Sequence, residues 1–255
     1  ETGWEEVLYV IALTERLRHP DPVVRVRAAL DAPTTAPLAT LVELLVAEPD
    51  VSVRETLTWA IAGHGWRTTP LLVRQLASKD ARVRLTALHV LSKVGDPAAT
   101  AAVAERLGDA DGAVARKAAF TLGQIGGGAA LAALVAALGV GDTGLGDAVA
   151  TALARFGASA SGPLIDALGS PDAAVRGNAA ESLALIGDPA GAAQLAATLD
   201  DPDPTVRFAA LFALGELPGE TAGNAIAGAV ESDDARVRAL ATRLRADRAG
   251  GAPRG

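Results

Sequence analysis

Eight aspartates recur along the chain at intervals of 29 to 31 residues, and six of them have an arginine four residues later. The aspartates are Asp21, Asp50, Asp80, Asp111, Asp142, Asp172, Asp203 and Asp234. The arginines are Arg25, Arg54, Arg84, Arg176, Arg207 and Arg238. A carboxylate beside a guanidinium is a familiar acid–base or anion-binding pair. Repetition argues for another role. A catalytic carboxylate is needed once, whereas a helix cap is needed in every copy of a repeat. We therefore expect each Asp to cap a helix. Each Arg is expected to lie along a stack and reach an Asp or a helix-end carbonyl of an adjacent repeat.

Other chemistry-bearing patterns are sparse. Gly139-x-Gly141-x-x-Gly144 matches the letters of a dinucleotide fingerprint. That motif works only after a β-strand, where it opens a helix onto a pyrophosphate. Here a helical run from Leu131 to Leu138 precedes it, so it is expected to be an interhelical loop. The three histidines, His19, His64 and His89, fall in different repeats and lack the spacing of a helix-borne metal site. The absence of Cys excludes disulfides, thiolate ligands and Cys nucleophiles. We expect no catalytic residues, no metal and no cofactor.

The elements that hold these residues follow from the period. A fixed period of about 30 residues signals stacked helical repeats rather than one central core. In residues 159–188, Pro163 is expected to start a short helix ending at Leu168, and Gly169-Ser-Pro-Asp172 breaks it. Asp172 then opens a second helix with an apolar stripe at Val175, Ala179, Ala180, Leu183 and Ile186. Gly187 is placed to end it in a left-handed C-cap. Val83, Ala87, Leu91, Val94 and Gly95 repeat the pattern, as do Val114, Ala118, Leu122, Ile125 and Gly126. The fifth copy is worn. Leu145-Gly146 replaces Val-Arg and glycines accumulate, which marks it as the weakest repeat and a hinge candidate.

With these residues in view, the chain resembles the HEAT-like repeats of the phycobilisome-lyase type, above all in Asp172-Ala-Ala-Val-Arg-Gly-Asn-Ala-Ala-Glu-Ser-Leu-Ala-Leu-Ile-Gly-Asp-Pro189. Tyr9–Leu30 and Leu57-Thr-Trp-Ala60 also look like uncharacterised actinobacterial HEAT-repeat proteins. The resemblance implies an all-α fold, a right-handed α-solenoid of about eight two-helix repeats of 30–31 residues. We expect one repeat domain over 4–250. Its repeats are 4–36, 37–66, 67–96, 97–127, 128–158, 159–188, 189–219 and 220–250. Residues 1–3 are expected to be a cloning remnant and 251–255 a flexible tail.

Composition narrows the partners. The chain of 255 residues carries a net charge of −7, which argues against a general nucleic-acid surface. No apolar run nears the roughly 20 residues a membrane span needs, and no signal peptide is recognisable. A monomer in the cytoplasm is the expectation. In stacks of this kind the second helices line the concave face, and positions two, three and six after the repeated Val should point outward there. Four of the chain's eight aromatics, Trp59, Phe120, Phe208 and Phe212, occupy these positions, far above an even scatter. Together with Arg27, His89, Arg116 and Lys117 they form the expected docking face for a protein or peptide. Trp66 would rim the same groove, and Phe156 is assigned to packing. The alternatives are a bilin-lyase-like enzyme or subunit holding a small hydrophobic cofactor there, and an artificial repeat array whose aromatics fill gaps between helices.

Overall fold

The computed structural model describes residues 3–32 and 36–249. The expected tail, and the expected remnant apart from Gly3, lie outside these residues. Among the described residues there are sixteen α-helices and no strand. None is long and apolar enough to cross a membrane. The chain divides at Gly127/Gly128 into two units, each of four helical hairpins.

In the first unit the hairpins pair α1 (Gly3–Leu17) with α2 (Pro22–Leu30), α3 (Leu38–Ala47) with α4 (Val51–Ala62), α5 (Thr69–Gln75) with α6 (Ala81–Val94), and α7 (Thr100–Ala104) with α8 (Gly112–Ile125). In the second, α9 (Gly127–Ala136) precedes α10 (Thr143–Ala154), α11 (Ser161–Ala167) precedes α12 (Ala173–Ile186), α13 (Ala192–Ala197) precedes α14 (Pro204–Glu216), and α15 (Glu220–Ala229) precedes α16 (Ala235–Ala249). Within each unit consecutive even-numbered helices pack side by side. The buried residues are mostly Leu, Val and Ala; Ala179, Ala180 and Leu183 of α12 are typical. Such small aliphatic surfaces let helices approach closely, and burying one Leu is worth about 2 kcal/mol.

The eight aspartates sit where the second helices begin. Each side chain accepts a backbone N–H two or three residues on, at 2.7–2.9 Å. Gly95 and Gly187 end α6 and α12 with φ near +70°. α11 starts two residues before the position expected from Pro163, at Ser161. The Ser161 hydroxyl donates to Asp188, at the end of the same repeat, at 2.6 Å. Pro163 still falls within the first turn, where its missing N–H has no helical partner to lose.

Four of the six arginines, Arg25, Arg84, Arg176 and Arg207, have two jobs. One nitrogen donates to the carbonyls of the loop in the Arg's own repeat rather than an adjacent one: Arg84 to Ser78 and Lys79, Arg176 to Ser170 and Pro171. The rest of the guanidinium reaches an acid of the next repeat. Arg25 holds Glu48 at 2.8 Å, Arg84 holds Asp109 at 2.7 Å, Arg176 holds Asp201 at 2.6 Å and Arg207 holds Asp234 at 2.6 Å. Glu48, Asp109 and Asp201 stand two residues before a capping Asp and accept its N–H as well. Arg176 holds the Asp201 carboxyl below its ordinary range against the opposing effect of burial. At Asp109 burial pushes upward, but the Arg84 hydrogen bond and neighbouring donors prevail and the carboxyl is again depressed.

The glycines of the fifth repeat have packing reasons. Gly139 and Gly141 lie in the loop between α9 and α10, with no strand before them. A Cβ on Gly139 would meet Val175 Cγ2 at 2.7 Å and Asp172 Oδ2 at 3.2 Å. Gly141 has φ +83°, open to glycine and strained for other residues. Gly146 occupies the Arg column, where a Cβ would lie 3.3 Å from Asn178 Nδ2. Its absence gives the Asn178 amide room as it donates to the Leu138 carbonyl.

Two contrasts test this packing. Gly177 lies inside α12, and a Cβ there meets nothing within 4 Å. Gly177→Ala should stabilise the protein by about 1 kcal/mol through helix propensity, whereas Gly139→Ala should cost about 1–3 kcal/mol through overpacking; urea denaturation reads both. Arg176, 11% exposed against an Asp201 at 6%, should lower the melting temperature by several degrees when replaced by Ala. Arg236→Ala, at a 61% exposed side chain, should leave it nearly unchanged. Because Asp201 is depressed below 3.8, the stability contributed by its pair is fully present above that pH and lost as the pH falls through the lower folded value. The difference between wild type and Arg176→Ala should therefore shrink below about pH 4.

Candidate functional site

On the first unit, α4, α6 and α8 carry a continuous polar–aromatic strip. The helical period sets Glu55 and Trp59 one turn apart on α4, His89 and Lys93 one turn apart on α6, and Lys117 and Phe120 three residues apart on α8. Trp59 is 55% exposed and Phe120 42%. The Trp59 indole donates to Glu55 Oε1 at 3.0 Å. His89 Nε2 lies 3.0 Å from Glu55 Oε2, and Lys117 Nζ lies 3.2 Å from His89 Nδ1. Lys93 Nζ sits 4.8 Å from the Trp59 ring centre, and Lys117 Nζ sits 4.4 Å from that of Phe120. An ammonium has no acceptor, so Nδ1 must accept from Lys117, and the ring hydrogen is then on Nε2, donated to Glu55. His89 is thus neutral in this arrangement.

The electrostatics agree. Burial pushes the His89 imidazole below its ordinary value; the Glu55 hydrogen bond opposes this, and Lys117 and Lys93 reinforce it. Burial likewise lowers Lys117, helped by Lys93 and opposed by Glu55. Glu55 is held low, first by its hydrogen bond with His89. A cavity of about 240 Å³ opens beside the cluster, lined by Glu55, Thr58, Thr86 and His89 among others. Arg27 on α2 and Arg116 on α8 are exposed. Trp66 is 74% exposed in a 3-10 turn before α5.

On the second unit, α10, α12 and α14 border a groove of about 1000 Å³. Phe208 and Phe212, one turn apart on α14, supply its aromatic wall with Leu185 of α12. Asp147, Glu181 and Glu216 make it acidic, and Arg236 stands at one side. Burial raises the Glu181 carboxyl, and the like charge of Asp147 adds to the rise. Phe156 is half-buried.

Sequence reasoning selected aromatics and bases and passed over Glu55, Lys93, Asp147 and Glu181. Glu55, Asp147 and Glu181 stand in the outward columns already read for aromatics, so the signal for them was present. Lys93 lies beyond those columns, and only its place one turn after His89 points to it. The remaining histidines do not converge with His89. His19 Nδ1 accepts the N–H of Asp21, and His64 is buried, with its imidazole lowered chiefly by that burial. Among the described residues no group of His, Asp and Glu has the arrangement of a metal site.

Comparison with known proteins matches the profile for HEAT repeats over residues 38–119 and 161–244. The profile for the PBS lyase HEAT-like repeat matches residues 114–139. No curated protein matches the sequence. Among solved structures, the chain is similar to an archaeal HEAT-like repeats protein from Thermococcus onnurineus NA1, with 15% identity, 82% of this chain and 96% of that one covered, and a TM-score of 0.50. A chain from a study of microtubule plus-end tracking by XMAP215, CLIP-170 and EB1 has 18% identity, 73% and 92% coverage, and a TM-score of 0.55. Importin beta has 15% identity and a TM-score of 0.55, with 98% of this chain aligned to 42% of that one. Likeness at these identities is likeness of fold.

The strip makes a directional prediction for His89. Its imidazole should titrate below 6.5 by NMR. Lys117→Gln should raise the midpoint by removing a nearby positive charge, and Glu55→Gln should lower it further by removing the carboxylate. Because the folded value is depressed, the unfolded chain takes up the proton first, and stability should fall as the pH drops below about 6.5. His89→Gln should flatten that part of the stability profile.

Proposed function

The chain belongs to the HEAT-repeat family, and from that premise we propose that it is a non-enzymatic scaffold that binds a protein or peptide partner on the face formed by its second helices. The observation that carries this reading is the exposure of large rings on second helices of each unit, α4 and α8 in the first and α14 in the second. Trp59, Phe120, Phe208 and Phe212 are 41–55% exposed in a chain with only eight aromatics. Scattered exposed apolar residues are ordinary on a protein surface. Rings gathered on one face beside charged side chains are how interfaces concentrate their energy.

The surroundings of the rings support the same reading. Trp59 and Phe120 are each held beside a lysine, and Trp59 also by Glu55, so their faces are positioned before any partner arrives. Fixed rotamers reduce the entropy lost on association. Arg27, Arg116, Lys117 and His89 supply polar contacts on the first unit. On the second, Phe208 and Phe212 offer apolar contact area within an acidic groove.

The test is a set of binding peptides selected from a random display library and measured by calorimetry. Trp59→Ala or Phe120→Ala should weaken binders of the first unit at least about tenfold, and Phe208→Ala or Phe212→Ala should do so for binders of the second. Because these rings are exposed, melting temperatures should move little. Binders indifferent to all four substitutions would sink the proposal, as would a large loss of stability in the variants.

A further inference from the structure

The chain has 23 basic residues, and only three, Lys79, Lys93 and Lys117, are lysines. Two of the three meet on the polar–aromatic strip of the first unit. There Lys117 is half-buried, with Nζ 3.2 Å from His89 Nδ1 and 4.4 Å from the Phe120 ring centre. In the inter-repeat ties the cation is supplied by Arg, which keeps its proton at any physiological pH. Lysine alone can become a neutral amine, and neutral amines are nucleophiles.

The neighbours of Lys117 match what such an amine requires. Glu55 Oε2, 3.0 Å from His89 Nε2, fixes the tautomer that presents the Nδ1 lone pair to the lysine. Burial disfavours the ammonium most, Lys93 on α6 adds a like charge to that effect, and Glu55 opposes it. The facing ionisable groups are thus Glu55 from α4, and His89 and Lys93 from α6. The exposed Phe120 ring provides open aromatic surface beside Nζ.

We propose that Lys117 is a reactive amine site that captures small aromatic aldehydes as imines, with His89 as its proton acceptor and Glu55 as the group that positions His89. The ammonium proton passes to His89 Nδ1. The Nζ lone pair then adds to the carbonyl carbon, and the C–O π pair moves to oxygen, which is protonated to give a carbinolamine. The C–O bond breaks and water leaves with the carbonyl oxygen and the two remaining Nζ hydrogens. The product is a C=N bond, formed with no oxidant and no metal. The aryl group of the aldehyde stacks on Phe120. This capture is stoichiometric and needs no partner, and it uses Lys117, His89 and Phe120, which also belong to the proposed docking face.

The experiment treats the intact chain with benzaldehyde and cyanoborohydride at about pH 7.5 and follows each lysine by peptide mass spectrometry. Exposed Lys79 is the internal reference. Lys117 should be modified at least about tenfold faster than Lys79. Its rate–pH profile should also lie at lower pH. His89→Gln should lower the ratio, because the proton acceptor is lost while burial and Lys93 remain. Lys117→Arg, which keeps a cation on the same stem, should remove the fast adduct and leave the slow ones. A Lys117 rate no greater than that of Lys79, a ratio unmoved by His89→Gln, or a fast adduct that survives Lys117→Arg would each overturn the proposal.

Discussion

A two-helix repeat of about 30 residues has an apolar stripe that it cannot cover alone, and everything else in this protein follows from that deficit. Each stripe is buried only by the next hairpin. The alignment between hairpins must therefore be set by contacts that recur with the period. The Asp cap starts the second helix at one residue, and in four repeats the Arg four positions later ties that helix both to its own loop and to an acid of the following repeat. Because these ion pairs are well shielded, a misaligned neighbour would leave a charge without its partner. That penalty enforces register even where the net stabilisation is small.

The ties are not uniform. Glu48, Asp109 and Asp201 accept an Arg and a cap N–H together, while Ser78, Ser170 and Ser232 stand at the same position and accept the N–H alone. Where Ala115 replaces the Arg, the corresponding position of the following repeat is Val140. In the fifth repeat the Arg position is glycine, and Asn178 of the sixth reaches the Leu138 carbonyl instead. The period is thus kept by more than one kind of contact.

Residues that do not repeat are released from this task, and they differentiate the two units. The first presents a polar–aromatic strip whose charges are coupled through His89. The second presents an acidic groove walled by Phe208 and Phe212. A solenoid permits this because its core is made by one set of helical positions and its outward face by another, so the face can vary without touching the stack.

Much of the fold was legible from the chain alone. Period, caps, apolar stripe and terminal glycines are local signals: each depends on hydrogen bonding or packing within a few residues of its own position. The outward columns followed from helical geometry, and the rings they predicted to be exposed can be named from the sequence. The tertiary structure decided which residues from different repeats meet. Glu48, Asp109 and Asp201 as partners of arginines more than twenty residues away, the Glu55–His89–Lys117 chain across three helices, and the room that Gly146 leaves for Asn178 all depend on side-chain reach across a helix interface. A periodicity fixes the face of a helix, whereas the distance between two side chains on neighbouring helices is set by packing at the level of a single methyl group.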